Sequence, residues 1–117
     1  KGLLKVEVMG THGKGPIRRY SKSDFDYLCV VIDPKYIPKY FEVDRNKYSY
    51  FFIKSFELPD HHKNNTWGTE KIYENCKFKL GLNEGKIFIK PSYNYQLPIK
   101  FNFDIIELNY IPSEIRS

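Results

Sequence analysis

The sequence predicts a strand-rich α+β domain: one twisted mixed β-sheet with few, short helices. Two observations carry that expectation. Alanine, the strongest helix former, is absent, whereas Tyr contributes 10 residues and Phe 9, and aromatic residues favour strands. Apolar residues also recur with period two, or in short continuous runs bounded by turn residues, rather than with helical period. The 117 residues suit a single domain. A nuclease-like portion, 1–60, and a β-rich C-terminal portion, 67–117, meet at the polar seam His61-His62-Lys63-Asn64-Asn65-Thr66.

Each element has a local reason. Residues 3–9 alternate, with Leu4, Val6 and Val8 on one face and Lys5, Glu7 and Met9 on the other. Residues 27–33 are continuously apolar, as a strand buried on both faces requires. Residues 39–44 and 48–54 flank the hairpin loop Asp44-Arg45-Asn46-Lys47. Residues 77–81 and 86–90 flank a second loop, Leu82-Asn83-Glu84-Gly85. Residues 99–109 alternate weakly and suit a last strand. Ser21 or Ser23 is placed to cap a short turn through Asp24–Asp26, and Thr69 to cap a helix over 70–75. Pro34, Pro38, Pro59, Pro91, Pro98 and Pro112 punctuate the loops, and no internal repeat is evident. The expected core is Val6, Val8, Leu28, Val30, Ile32, Phe51 and Ile53.

The formal net charge is +5, which favours anionic partners, nucleic acid above all. The richness in Lys, Asn, Ile, Tyr and Phe also matches A+T-rich coding. No apolar run approaches the roughly 18 residues of a membrane span, so no transmembrane helix and no membrane partner are expected. No secretory signal opens the chain. It does not begin with Met, and it reads as a processed product or the C-terminal part of something longer. Cys29 and Cys76 make neither a disulfide scaffold nor a zinc site, which points to a reducing, intracellular setting, cytoplasmic or nucleoid-associated.

Chemistry concentrates between residues 3 and 33. Lys5 and Glu7 share a strand face. There Glu7 is placed to ligate a divalent metal and Lys5 to offset charge developing on a phosphate, or the two form an ordinary solvated ion pair on an edge strand. The loop that follows carries Gly10, Gly13 and Gly15, whose backbone N–H groups approach anions closely. It also carries His12, Lys14, Arg18, Arg19 and Lys22, cations of the type that contact phosphates. Neither a Walker loop nor a dinucleotide fingerprint is present. His61 and His62 lack partners at ligand spacing. Tyr36, Tyr40, Tyr48, Tyr50, Tyr93 and Tyr95 read first as core residues with hydroxyls at the rim, and second as platforms for stacked bases.

Val6-Glu7-Val8-Met9-Gly10-Thr11, a basic loop, then Tyr20 through Phe25-Asp26 to Val31, a hairpin, and Tyr50 to Pro59 together resemble the later half of PD-(D/E)XK nucleases. The likeness is nearest to restriction-endonuclease-like and intron-encoded members and covers about half of the chain. It implies the C-terminal portion or remnant of a Mg²⁺-dependent endonuclease acting on DNA. Glu7 falls at the metal-binding position, and Phe25-Asp26 at a pair that positions the next strand. Met9 occupies the catalytic Lys position, and a thioether carries no charge. The Lys role therefore passes to Lys5 or Lys14, or catalysis is lost. The family's preceding helix and Asp-bearing strand are not in this sequence. A second carboxylate would come from Asp24, Asp26 or another polypeptide. Homodimerisation is implied by analogy alone. The alternative is a non-catalytic β-rich module that binds nucleic acid or protein, or a viral or phage structural protein.

Overall fold

The computed structural model describes residues 4–10, 19–21, 24–58, 66–68, 76–93 and 103–116; for 7–10, 19–21, 66–68, 76–78 and 92–93 it describes the backbone. In chain order the strands are β1 (Val6–Gly10), β2 (Arg19–Ser21), β3 (Tyr27–Ile32), β4 (Ser49–Lys54), β5 (Thr66–Gly68), β6 (Cys76–Asn83), β7 (Lys86–Tyr93) and β8 (Ile106–Glu107). Pro34–Tyr36 and Ser55–Glu57 are single 3₁₀ turns, and α1 is the one-turn helix Ser113–Arg116. Among the described residues the chain is strand-rich with few, short helices, as expected. The single sheet is not found there: the described strands lie in three sheets, ordered β1-β3-β4, β2-β5 and β6-β7-β8.

The continuous apolar run forms β3, the centre of the first sheet, with β1 parallel on one side and β4 antiparallel on the other. Tyr27 to Val30 are all buried, as a central strand covered on both faces demands. Asp26 fixes where the sheet begins. Its carboxylate accepts from the Lys5 N–H at 2.9 Å, and its own N–H donates to Lys5 O at 2.8 Å. At the same end of β3, on its β4 side, the Ser55 N–H donates to Asp26 O at 2.9 Å.

One face of this sheet builds the core. Leu28, Val30, Phe51 and Ile53 are 0 to 1% exposed and pack with Ile37, Phe41, Leu58, Ile89 and Leu108. Ile89 belongs to the third sheet and Leu108 follows β8, so the core draws on both portions of the chain. Burying each such side chain is worth about 1.5–3 kcal/mol.

Four expectations are corrected. Val6 is 39% exposed rather than core, because the register sets it opposite Tyr27, away from the Leu28 face; a one-residue change of phase reverses a strand's faces. Ile32 is only half-buried, packed against the core rather than inside it. Residues 39–44 form a turn over 39–41 and irregular chain over 42–44 instead of a strand. Pro91 lies within β7 rather than in a loop, past Phe88 and Ile89, the two residues that β8 pairs. Val8's side chain, the proposed helix over 70–75 and most of the polar seam lie outside the described residues. Of the weak strand expected over 99–109, β8 is the part described.

Two turns set the remaining geometry. β6 and β7 join through Glu84 and Gly85, with Asn83 paired to Lys86. Both central residues have positive φ, 52° and 79°, the two-residue turn whose twist suits a hairpin. Asn109, at φ 61°, closes the free edge of β4. Its N–H donates to Tyr50 O at 2.7 Å and its side-chain oxygen accepts from Tyr50 N at 3.0 Å. Its amide nitrogen also reaches Ser49 Oγ at 3.3 Å.

Candidate functional site

The connection between β3 and β4 is built from two copies of one tetrapeptide pattern: Pro34-Lys35-Tyr36-Ile37 and Pro38-Lys39-Tyr40-Phe41. Each copy folds the same way. The Ile37 N–H donates to Pro34 O at 3.0 Å, and the Phe41 N–H donates to Pro38 O at 3.1 Å. Proline fixes φ at the start of each turn. The fourth residue of each copy is the anchor, with Ile37 3% and Phe41 4% exposed in the core. Asp33 opens the first turn by accepting the Lys35 N–H at 3.0 Å.

Arg45 locks the two turns together. Its Nη1 donates to Pro34 O and Ile37 O, both at 2.9 Å, and its Nη2 donates to Pro38 O at 2.9 Å and Phe41 O at 2.7 Å. Each nitrogen thus serves one copy of the pattern. The planar fork of a guanidinium has this two-by-two geometry, and an ammonium does not. Turn carbonyls that a neighbouring strand would otherwise satisfy are satisfied by one side chain.

This arrangement leaves the second and third residues of each copy outside. Lys35 and Lys39 are exposed, as are Tyr36 at 58% and Tyr40 at 76%. Asp33, Pro34, Lys35, Ile37, Lys39 and Arg45 line an open groove of about 610 Å³. The Lys35 ammonium stands 5.3 Å from the centre of the Tyr36 ring, and the Tyr40 ring leans on Phe41 at 4.6 Å. Three cations and one carboxylate at a groove give it a positive field. The expectation of Tyr36, Tyr40 and Tyr48 in the core is corrected: all three are exposed, Tyr36 and Tyr40 because each turn points its second and third residues outward and its fourth inward. The repeat that sequence reading missed was visible in the chain as Pro-Lys-Tyr followed by an apolar residue, twice.

The residues expected to carry chemistry are described in part. Lys5 is exposed and immediately precedes β1. Glu7 lies in β1 in register with Leu28; its side chain is outside the description. Arg19 opens β2, paired with Gly68 of β5. His12, Lys14, Arg18 and Lys22 lie outside the described residues. Among the described residues no group of three His, Cys, Asp or Glu side chains converges on one point. They supply no ligand set for Mg²⁺. No helix among them is long and apolar enough to cross a membrane.

The opposite face of the first sheet carries a polar latch. Tyr27 donates its phenol to Glu114 Oε1 on α1, and Lys54 Nζ reaches the same oxygen at 3.0 Å. The ammonium also lies 5.8 Å from the Tyr27 ring centre. Burial, and then the bond to Glu114, push the Tyr27 phenol above its usual pKa. The hydrogen bond to Glu114 does most to raise that of Lys54. Cys29 is a buried free thiol, pushed up by burial to about 11. A thiol so protonated is a poor nucleophile, which marks it as packing. The groups of the latch bond to one another.

Compared with known proteins, the chain matches no family model, no curated protein and no solved structure.

Proposed function

We propose that this domain is a nucleic-acid-binding module, and that the Lys35–Lys39 groove is its phosphate-contacting surface. The observation that carries the reading is the fixed groove itself. Two exposed lysines stand on turns that Arg45 holds through four hydrogen bonds, in a chain of net charge +5. Lysines on pre-ordered backbone meet phosphates with little further loss of freedom. The basic loop with His12, Lys14, Arg18, Arg19 and Lys22 adds charge of the same sign. Binding then weakens with salt as counterions are released. A binding isotherm across a salt series tests this. Lys35→Gln with Lys39→Gln weakens affinity and flattens the salt slope by about two contacts. An unchanged slope removes the groove from the contact surface.

A second reading is a Mg²⁺-dependent DNA endonuclease or its remnant. It is supported by the resemblance around Glu7, and by Lys5 being held beside Asp26 at the head of the sheet. Nicking of supercoiled DNA that needs Mg²⁺ and is lost in Glu7→Ala supports it. Nicking that is absent removes the active enzyme and leaves only the remnant; nicking that survives Glu7→Ala removes Glu7 as its metal ligand.

A further inference from the structure

We infer that the clamped double turn selects single-stranded nucleic acid: Tyr36 and Tyr40, exposed next in sequence to the groove-lining Lys35 and Lys39, each stack a base while those two lysines meet the adjoining phosphates. The inference rests on the nucleic-acid reading above and goes further by naming the form of the ligand. Three observations carry it. A tyrosine ring in a folded domain ordinarily buries most of its surface, yet Tyr36 and Tyr40 are 58% and 76% exposed. Their exposure comes from a rule rather than an accident, because both occupy the third position of the same turn. In both copies the turn is closed by the same bond, anchored by a buried fourth residue and clamped by the same guanidinium.

The third observation is the pairing of types. Each copy displays one cation followed by one flat ring, and the Lys35 ammonium lies 5.3 Å from its own Tyr36 ring centre. A single strand repeats one anion and one flat base per nucleotide. A duplex hides its base faces in the stack and offers only phosphates and groove edges. A repeating cation–ring display therefore matches the unpaired strand, whose bases are free to stack on aromatic side chains. Acidic polysaccharide offers anions without aromatic faces, so it uses the lysines alone.

The test measures binding, at low and moderate salt, of the whole chain to a fluorescent single strand of about 10 nucleotides, the matching duplex, and a heparin fragment. Wild type should bind the single strand most tightly. Tyr36→Leu with Tyr40→Leu should lower single-strand affinity by at least about tenfold, with duplex and heparin binding changed less than about twofold. Tyr36→Phe with Tyr40→Phe should keep single-strand binding, since the ring and not the hydroxyl stacks; the Leu variant's own retained duplex and heparin binding shows that its loss is not a folding defect. Single-strand binding that survives the Leu pair within about twofold overturns the stacking inference, and so does a wild-type preference for duplex or heparin. In either case a salt-dependent loss in the Lys35→Gln, Lys39→Gln variant still upholds the phosphate-contact reading. No binding of wild type to any of the three at low salt overturns both.

Discussion

Replacing Arg45 tests how the β3–β4 connection is held. Arg45→Ala removes four hydrogen bonds of 2.7 to 2.9 Å. The bond to Pro38 O is exposed, and water replaces it at little cost. The other three are part-buried. A hydrogen bond to a charged group is worth about 1.5–3 kcal/mol when sheltered. Halving that for partial water access leaves about 1 kcal/mol for each, so Arg45→Ala should cost about 3 kcal/mol. Arg45→Lys keeps the charge but radiates its donors from one atom and cannot serve two carbonyl pairs, so about 1–2 kcal/mol should be lost. Urea unfolding at neutral pH, followed by circular dichroism, gives both values from the midpoint and slope. Because the turns carry Ile37 and Phe41 into the core, the loss should appear as global destabilisation. An Arg45→Ala loss below about 0.5 kcal/mol, the range of an ordinary surface change, would refute the clamp.

Three further outcomes follow from local geometry. Asn109→Ala should cost about 1–3 kcal/mol, since it removes the side-chain bonds to Tyr50 and Ser49 and leaves a Cβ at φ 61°; Asn109→Gly should cost less in thermal melts, and equal losses would dismiss the strain. Glu84→Asn should stabilise the hairpin by about 0.5 kcal/mol, because Asn tolerates φ 52° better than Glu; a lower urea midpoint would contradict it. The pKa values of Tyr27 and Lys54 are both raised above their ordinary values of 10.0 and 10.5. The folded state therefore holds protons that the unfolded chain releases first, and this stability, complete below about pH 10, is lost as pH rises through the folded values. Glu114→Gln removes the carboxylate that does most to raise Lys54 and that adds to the effect of burial on Tyr27, and should shrink the drop in urea midpoint between about pH 9 and about pH 11. An equal drop in both proteins would place the alkaline sensitivity elsewhere.

Much of the fold was legible because local pattern and tertiary role agreed. The continuous run at Tyr27–Ile32 had to be a covered strand, and alternation at Ser49–Lys54 put Phe51 and Ile53 inside. Gly85 announced the hairpin. The phase of β1 was not legible: Leu4, Val6 and Val8 alternate cleanly, but only the parallel register with β3 decides which face meets the core. The segment 39–44 has the residue types of a strand, yet the Phe41 carbonyl accepts from Arg45 and the Asp44 carbonyl from the Lys47 N–H, not from a neighbouring strand. The division of strands into three sheets depends on long-range pairing that no local pattern encodes. The site was missed for a related reason. Tyrosines were counted as core by type, whereas their position in a four-residue turn repeat decided their exposure. Asn109's role as a one-residue edge strand has no signal beyond the tolerance of Asn for positive φ.

The central claim is that the clamped double turn is where nucleic acid binds. Two-dimensional amide NMR of the labelled chain, titrated with a single strand of about 10 nucleotides at low salt, tests it most directly. The largest shift changes should fall on Asp33, Lys35 to Ile37, Lys39 to Phe41 and Arg45. Changes that concentrate on residues 10–22 instead, and leave Lys35, Tyr36, Lys39 and Tyr40 unmoved, would contradict it.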